Sequence, residues 1–259
     1  MPEGYGEFEV DIAALMRSSL PAYFDGLNAV PLLTEYIAEI PFQAQGAYLL
    51  LLNGTIVYVG KTDAQAGFRY RLTRHFHNVQ HRQHLDPADV SFKAVRVFVF
   101  NMFDLETMLI EEYTRVASLR PIWNTSGFGS NDPGHRRENQ DPALFDVRHP
   151  VDIDREIKAI DPGTHEILAV LLRLKDLLPY TFRYEADGPG RQAWRQGHAD
   201  MRGHDMTVPT GPQTTRSILQ AALNAMGPEW QATVLPNRVI LYKEDTTYPA
   251  QVEAFRANP

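Results

Sequence analysis

Two tyrosines, Tyr48 and Tyr58, flank an Asn53-Gly54 dipeptide in the stretch from Gly46 to Lys61, GAYLLLLNGTIVYVGK. Asn-Gly tolerates the positive φ of a tight hairpin turn, and the runs on either side are aliphatic and aromatic. In an antiparallel pair the two tyrosines then lie across from one another, so both phenols can reach one site. Taken alone, the stretch also reads as an ordinary core hairpin with two packed rings.

Arg71 and His75 follow, four residues apart on one face of a helical segment from about Phe68 to His84. Arginine offers a forked cation suited to phosphate oxygens, and histidine moves a proton near neutral pH. The same segment carries Arg74 and a rival set, His77, His81 and His84, whose i, i+4, i+7 spacing would bring imidazoles to one metal. With no thiol and no obvious carboxylate beside them, a polar helix face explains those histidines more simply. Farther along, Glu111 and Glu112 compete as mid-helix carboxylates for Mg²⁺, which keeps most of its waters and takes one or two protein oxygens.

The elements that must position these groups are legible in outline. Residues 1–45 read as a helical cap, with a first helix broken at Pro21 and a second started by Pro31. The hairpin, the basic helix, an alternating β-branched strand from Val90 to Phe100 and a helix from Asp104 to about Leu119 make a small α/β domain. Residues 123–150 are loop-rich, and Arg136 and Arg137 there suit phosphate contact or plain solvation. Residues 164–259 form a second α+β unit: an apolar helix near 167–178, a strand at 180–184, a short strand at 206–209, a helix at 214–226, a hairpin across Pro236-Asn237 and a short helical tail from Tyr248. The fold class is α/β (α+β), a three-stranded sheet flanked by helices with a C-terminal extension.

Composition narrows the class. The 259 residues are 44% hydrophobic, carry a net charge of −7 and include no cysteine, so disulfides, thiolate metal sites and cysteine nucleophiles are excluded. No apolar run approaches a membrane span and the N-terminus lacks a signal-peptide pattern, so a cytoplasmic protein is expected. Charge is uneven. From Lys61 to His84 there are five Lys/Arg, four His and one acid, Asp63, which marks a local anion site in an acidic chain.

Taken together, Gly46-Ala47-Tyr48, Tyr58-Val59-Gly60-Lys61, Arg71-x3-His75, Glu112 and Pro121-Ile-Trp-Asn124 resemble the GIY-YIG nuclease family, with Ala47 and Val59 in place of the central isoleucines. The spacing to Pro121 and Asn124 favours Glu112 over Glu111 in that pattern. The loop Gly127-Phe128-Gly129…Asn131…Pro133-Gly134…Arg136 and the later Phe145-Asp146-Val147…His149-Pro150 are similar to the type II restriction endonucleases of that family that cut CCGCGG. The match reaches about residue 150, giving a nuclease core of 46–150 and leaving 164–259 unassigned.

The resemblance implies a metal-dependent, site-specific double-stranded DNA endonuclease. Glu112 would hold Mg²⁺, with Mn²⁺ as a substitute, and Arg71 would neutralise the phosphoryl group. Tyr48 would act as general base with His75 relaying the proton, helped by the metal or Arg71, because a phenol ordinarily ionises near pH 10. Tyr58 would position water or phosphate, and Asn124 would order the site. Lys61 and Arg74 would meet DNA, and Asn131, Arg136 and Arg137 would contact phosphates or guanine edges. A palindromic site implies a homodimer on DNA, and a restriction system adds a DNA methyltransferase as partner. Two other readings stand beside it: a structure-specific or repair GIY-YIG nuclease, and a catalytically silent DNA-binding protein that recruits a partner.

Overall fold

The structure is a computed structural model that describes all residues except 1–3, 5–10, 63–65, 99–103, 118–120, 126–127, 129–137, 189, 191 and 259; the side chains of 12, 13, 116, 117 and 125 are also left undescribed. The chain divides into two compact units, Met1–Phe76 with Asp86–Thr125, and His77–Leu85 with Ser126–Pro259.

The first unit is built on the hairpin. Strands β2 (Gly46–Leu52) and β3 (Thr55–Lys61) meet at Asn53 and Gly54, whose φ values of 48° and 79° are those of the tight turn that dipeptide favours. β4 (Val90–Arg96) pairs antiparallel with β2, and β1 (Val30–Pro31) pairs antiparallel with β4, giving the order β1-β4-β2-β3. The sheet therefore has four strands rather than three, the fourth supplied by the segment expected to be a helical cap. Pro31 does not start a helix. It sits in an edge strand, where its missing N–H costs no ladder bond, and α2 begins later (Thr34–Glu39).

Helices cover both faces of this sheet, which is why β2 is apolar along its length and does not alternate. On one face Ala47, Leu49, Leu51, Val59 and Val95 pack with Leu20 and Phe24 of α1 (Ile12–Asp25) and with Leu105, Met108 and Leu109 of α4 (Leu105–Ala117). α1 runs through Pro21 instead of breaking there; burial of Leu20 and Phe24 on either side of it offsets the lost helix bond. On the other face lies α3 (Phe68–Gln80), whose Phe68 ring meets Tyr48 edge-on at 6.3 Å. The short α5 (Ile122–Thr125) packs on β3.

The second unit has its own core. A sheet of order β10-β8-β9-β6 combines β6 (Thr181–Tyr184), β8 (Gln231–Leu235), β9 (Arg238–Tyr242) and β10 (Glu253–Arg256), with β6 parallel to β9. Against it pack α7 (Ile167–Leu177) and α8 (Thr215–Met226), around a fully buried Trp230. α8 opens with a capping box in which Thr214 and Ser217 bond each other's backbone N–H. β5 (Gly163–Glu166) and β7 (Asp205–Val208) form a separate pair, and α6 (Leu144–Arg148) is one short turn. The tail expected to be helical is β10, because the edge of β8 offers it a ladder from Gln231 to Val234.

Phe145, Asp146 and His149, singled out in the sequence, surround one buried cation in this unit. Arg82 donates to Asp146 Oδ1 at 2.7 Å, to the His149 carbonyl at 3.0 Å, to the Pro236 carbonyl at 3.2 Å and to Asn78 Oδ1 at 3.1 Å, with its guanidinium 5.0 Å above the Phe145 ring.

Candidate functional site

The hairpin brings its two tyrosines together through an irregularity. A regular ladder from the Leu52–Thr55 pair would set Tyr48 opposite Val59 and turn Tyr58 to the other face. The register shifts at Leu50/Leu51, so that Leu51 pairs with Ile56 but Leu50 pairs with Tyr58 and Tyr48 with Gly60. One extra residue reverses every side chain beyond it. The tyrosines are thus diagonal neighbours on the α3 face, not directly opposed, with ring centroids 6.1 Å apart. Gly60 is needed for this: a Cβ there would run into the Tyr48 ring. Gly46 is needed as well, since its Cβ would meet the Val95 carbonyl oxygen.

α3 supplies the next groups. The Tyr48 hydroxyl lies 2.8 Å from His75 Nε2, and both residues are sealed, Tyr48 at 1% and His75 at 4% exposure. Tyr58 is half-buried and its ring centroid is 5.1 Å from that of His75. Burial drives the Tyr48 phenol well above its ordinary pKa; Tyr58 and Glu106 push the same way, and Arg71 opposes them. Burial, then Arg74 and Arg71, push the imidazole of His75 down to about 3. At neutral pH the pair is therefore a protonated phenol beside an uncharged imidazole.

Asn124 completes β3. Its side-chain Oδ1 accepts from the Val59 N–H and its Nδ2 donates to the Val59 carbonyl, both at 2.8 Å. An amide thus pairs with the open edge of the strand as a neighbouring strand would, beside Tyr58. Lys61, at the end of β3, holds Asp104 Oδ1 at 2.7 Å. Asp104 in turn receives the Thr107 hydroxyl at 2.8 Å at the start of α4, and these two donors, Lys61 first, hold its carboxyl at about 2.

The carboxylate whose charge reaches this cluster is Glu106, in the first turn of the same helix. Burial raises its pKa, Asp104 adds to the rise, and Lys61 and Arg71 oppose it. Its charge reaches Tyr48 and Tyr58 in turn. No hydrogen bond or ion pair ties the Glu106 carboxylate to another described residue. Sequence reasoning missed it because an acid in a first turn ordinarily complements the helix dipole.

Glu112 is not brought to the cluster. It lies six residues on, about 9 Å along α4 and about 120° around it, where both its oxygens receive the guanidinium of Arg115. Glu111 pairs at 4.0 Å with Arg17 of α1. The histidine triad does not form either: α3 ends at Gln80, His84 adopts a positive φ of 58°, and His81 Nδ1 bonds the His77 carbonyl. Among the described residues no group of three His, Cys, Asp or Glu is arranged to hold a metal. Asn131, Arg136 and Arg137 fall outside the described residues.

A family model described as the Eco29kI GIY-YIG domain, a restriction endonuclease family, matches residues 55–154. The match takes in Tyr58, Lys61, Arg71, Arg74, His75, Glu106, Glu111, Glu112 and Asn124 and starts after Tyr48. It supports a GIY-YIG nuclease domain, with DNA as substrate, in this part of the chain. No curated protein matches the chain, and among the described residues no helix is long and apolar enough to cross a membrane.

Proposed function

With a GIY-YIG nuclease domain as premise, we propose that the chain is a divalent-metal-dependent, site-specific DNA endonuclease whose metal-holding carboxylate is Glu106 rather than Glu112. One observation carries this: Glu106, in the first turn of α4, is the half-buried carboxylate whose charge reaches both phenols and feels those of Lys61 and Arg71. A partly buried carboxylate with no hydrogen bond or ion pair to a described residue fits Mg²⁺ or Mn²⁺, which take one or two protein oxygens and complete their shell with water and phosphate. When bound, such an ion supplies Lewis-acid stabilisation of the phosphoryl and departing oxygens.

The chain's own residues then move the proton and hold the charge. In this reading His75 carries its proton on Nδ1, so that the Tyr48 hydroxyl, 2.8 Å away, donates to Nε2. As water attacks phosphorus, its proton passes to the Tyr48 oxygen while the Tyr48 proton passes to His75, so the phenolate need not accumulate. The P–O bond to the departing oxygen breaks, and that oxygen takes its proton from solvent. Burial is the largest cause of the low basicity of His75, and phosphate charge arriving on Arg74 and Arg71 offsets the two lesser ones, which makes the imidazole a better acceptor when substrate is in place. Arg71 neutralises the phosphoryl oxygens, Tyr58 orients water or phosphate, and Asn124 fixes the strand that carries Tyr58. Lys61 lends positive potential, and Asn131, Arg136 and Arg137 contact phosphates or base edges.

We extend the reading to a type II restriction enzyme acting as a homodimer on a palindrome, with CCGCGG as the candidate site and a methyltransferase protecting the same site. The family match supports this by running past Phe145 to Pro150. Glu106→Gln is expected to lower cleavage of plasmid DNA with Mg²⁺ by at least about a hundredfold while duplex binding in EDTA persists; Glu112→Gln cuts like wild type. The opposite pattern would return the metal to Glu112, and cutting without discrete bands would remove the site-specific reading.

A further inference from the structure

The end of β3 is tied to the start of α4 by one carboxylate that the reading above leaves without a role. Asp104 precedes Leu105, the first residue of α4, and caps that helix: its Oδ2 receives the Thr107 hydroxyl at 2.8 Å, and the Thr107 N–H points to its Oδ1 at 3.5 Å. The same Oδ1 receives the Lys61 ammonium at 2.7 Å. Lys61 is the last residue of β3, paired with Ala47 one step along from the Tyr48–Gly60 pair. Leu105 is buried in the core cluster that holds Val59 of that strand. Glu106 therefore follows two residues fastened to the sheet, Asp104 through its carboxylate and Leu105 through the core. The ion pair is exposed, Lys61 at 40% and Asp104 at 57%, where such a pair adds little to stability. Its value is geometric: Thr107 already fixes the carboxylate, so only the lysine has to be ordered.

We propose that Asp104 is a positioning residue with Lys61 as its anchor on β3, and that together they hold the first turn of α4 so that the Glu106 carboxylate is set to take a divalent cation. The first N–H groups of a helix have no partner within it, so an uncapped first turn frays. Glu106 has no hydrogen bond or ion pair to a described residue that would steady it there. The inference rests on the reading of Glu106 as the metal-holding carboxylate. A purely electrostatic role would look different. Lys61 repels a cation and Asp104 attracts one, so charge alone makes the two residues opposites, whereas a tether makes them act alike.

The test counts Mn²⁺ bound to the protein from the loss of the free-ion EPR signal, with unfolding midpoints measured in EDTA alongside. Lys61→Met and Asp104→Asn should each raise the Kd for Mn²⁺ about tenfold. The double variant should lie within about twofold of either single one, because both changes cut the same tether. Asparagine still offers an oxygen to the first turn, so the midpoints in EDTA should stay close to that of wild type. The Mg²⁺ concentration for half-maximal cleavage of plasmid DNA should rise by a similar factor. Opposite shifts, with tighter Mn²⁺ binding in Lys61→Met and weaker binding in Asp104→Asn, overturn the proposal and leave the two residues acting through charge alone. An unchanged Kd in both variants overturns it as well. Glu106→Gln that binds Mn²⁺ as tightly as wild type would overturn the Glu106 reading instead.

Discussion

A buried polar cluster in the first unit and one in the second are finished differently. In the second unit Arg82 is 8% exposed, and its guanidinium finds two side-chain oxygens and two carbonyls within the chain. In the first unit a comparable run, Tyr48 to His75 with Tyr58 beside them, stops at Glu106, a desolvated carboxylate that accepts no hydrogen bond from a described residue. A buried cation supplied with acceptors holds the fold. A half-buried carboxylate with no donor among the described residues costs stability until a cation from outside completes it; on the metal-dependent reading proposed above, that is the cost the site carries between substrates.

The sharpest way to break the comparison is to unbalance the cluster that should matter only for stability. Burial pushes Asp146 up and Arg82 down, so desolvation outweighs their mutual attraction. Asp146→Asn strands the Arg82 charge and should cost about 3–5 kcal/mol, read as a lower midpoint in urea. Cleavage at a temperature where the variant stays folded should be unchanged. Replacing both partners with apolar residues, Arg82→Met with Asp146→Leu, should recover most of the loss. A variant that keeps its stability and loses cleavage would place the Arg82 cluster in the site and dissolve the distinction.

A smaller effect asks how much the reactive cluster costs the fold. The folded His75 binds a proton only near pH 3, whereas an unfolded histidine binds one near 6.5. Between those values the unfolded chain holds the extra proton. Stability from this group is therefore complete above about pH 6.5 and falls as pH drops toward 3, by up to about 1.4 kcal/mol per pH unit. Burial also pushes His81 and His149 down, so the measurement is the difference between wild type and His75→Gln in urea midpoints across that range. The variant should show the shallower acid dependence. Equal slopes would mean that protonated His75 is tolerated inside the fold.

How far the sequence carried this comparison depended on whether the deciding interaction was local. Asn53-Gly54 set the hairpin, and the four-residue spacing of Arg71 and His75 put them on one helix face, because a turn and a helical repeat are properties of neighbouring residues. The choice among Glu106, Glu111 and Glu112 depended on which turn of α4 lies beside β3, and three acids on one helix look alike until that packing exists. The register shift between Leu50 and Leu51 was invisible for the same reason: no glycine or proline marks it, yet it decides whether Tyr58 shares a face with Tyr48. Pro31 as an edge strand and the tail as β10 both followed from a sheet edge elsewhere that needed a partner.

Asn124 belongs to the reactive cluster by position and to the stabilising kind by what it does, so it gives the finest test of the division. Its amide holds both polar groups of Val59 at the edge of β3, and no proton or phosphate step is assigned to it. Asn124→Ala should cost about 1–2 kcal/mol, because it leaves the N–H and carbonyl of the buried Val59 without their side-chain partner. Cleavage should fall only as far as Tyr58 drifts, with kcat reduced and the affinity for duplex in EDTA unchanged. Asn124→Asp separates the two halves of the contact. The carboxylate still accepts from the Val59 N–H but faces the Val59 carbonyl without a donor, so it should destabilise the edge at least as much as alanine does. If Asn124→Ala instead abolishes cleavage with no change in unfolding midpoint, the amide acts on the substrate and its pairing with β3 is incidental.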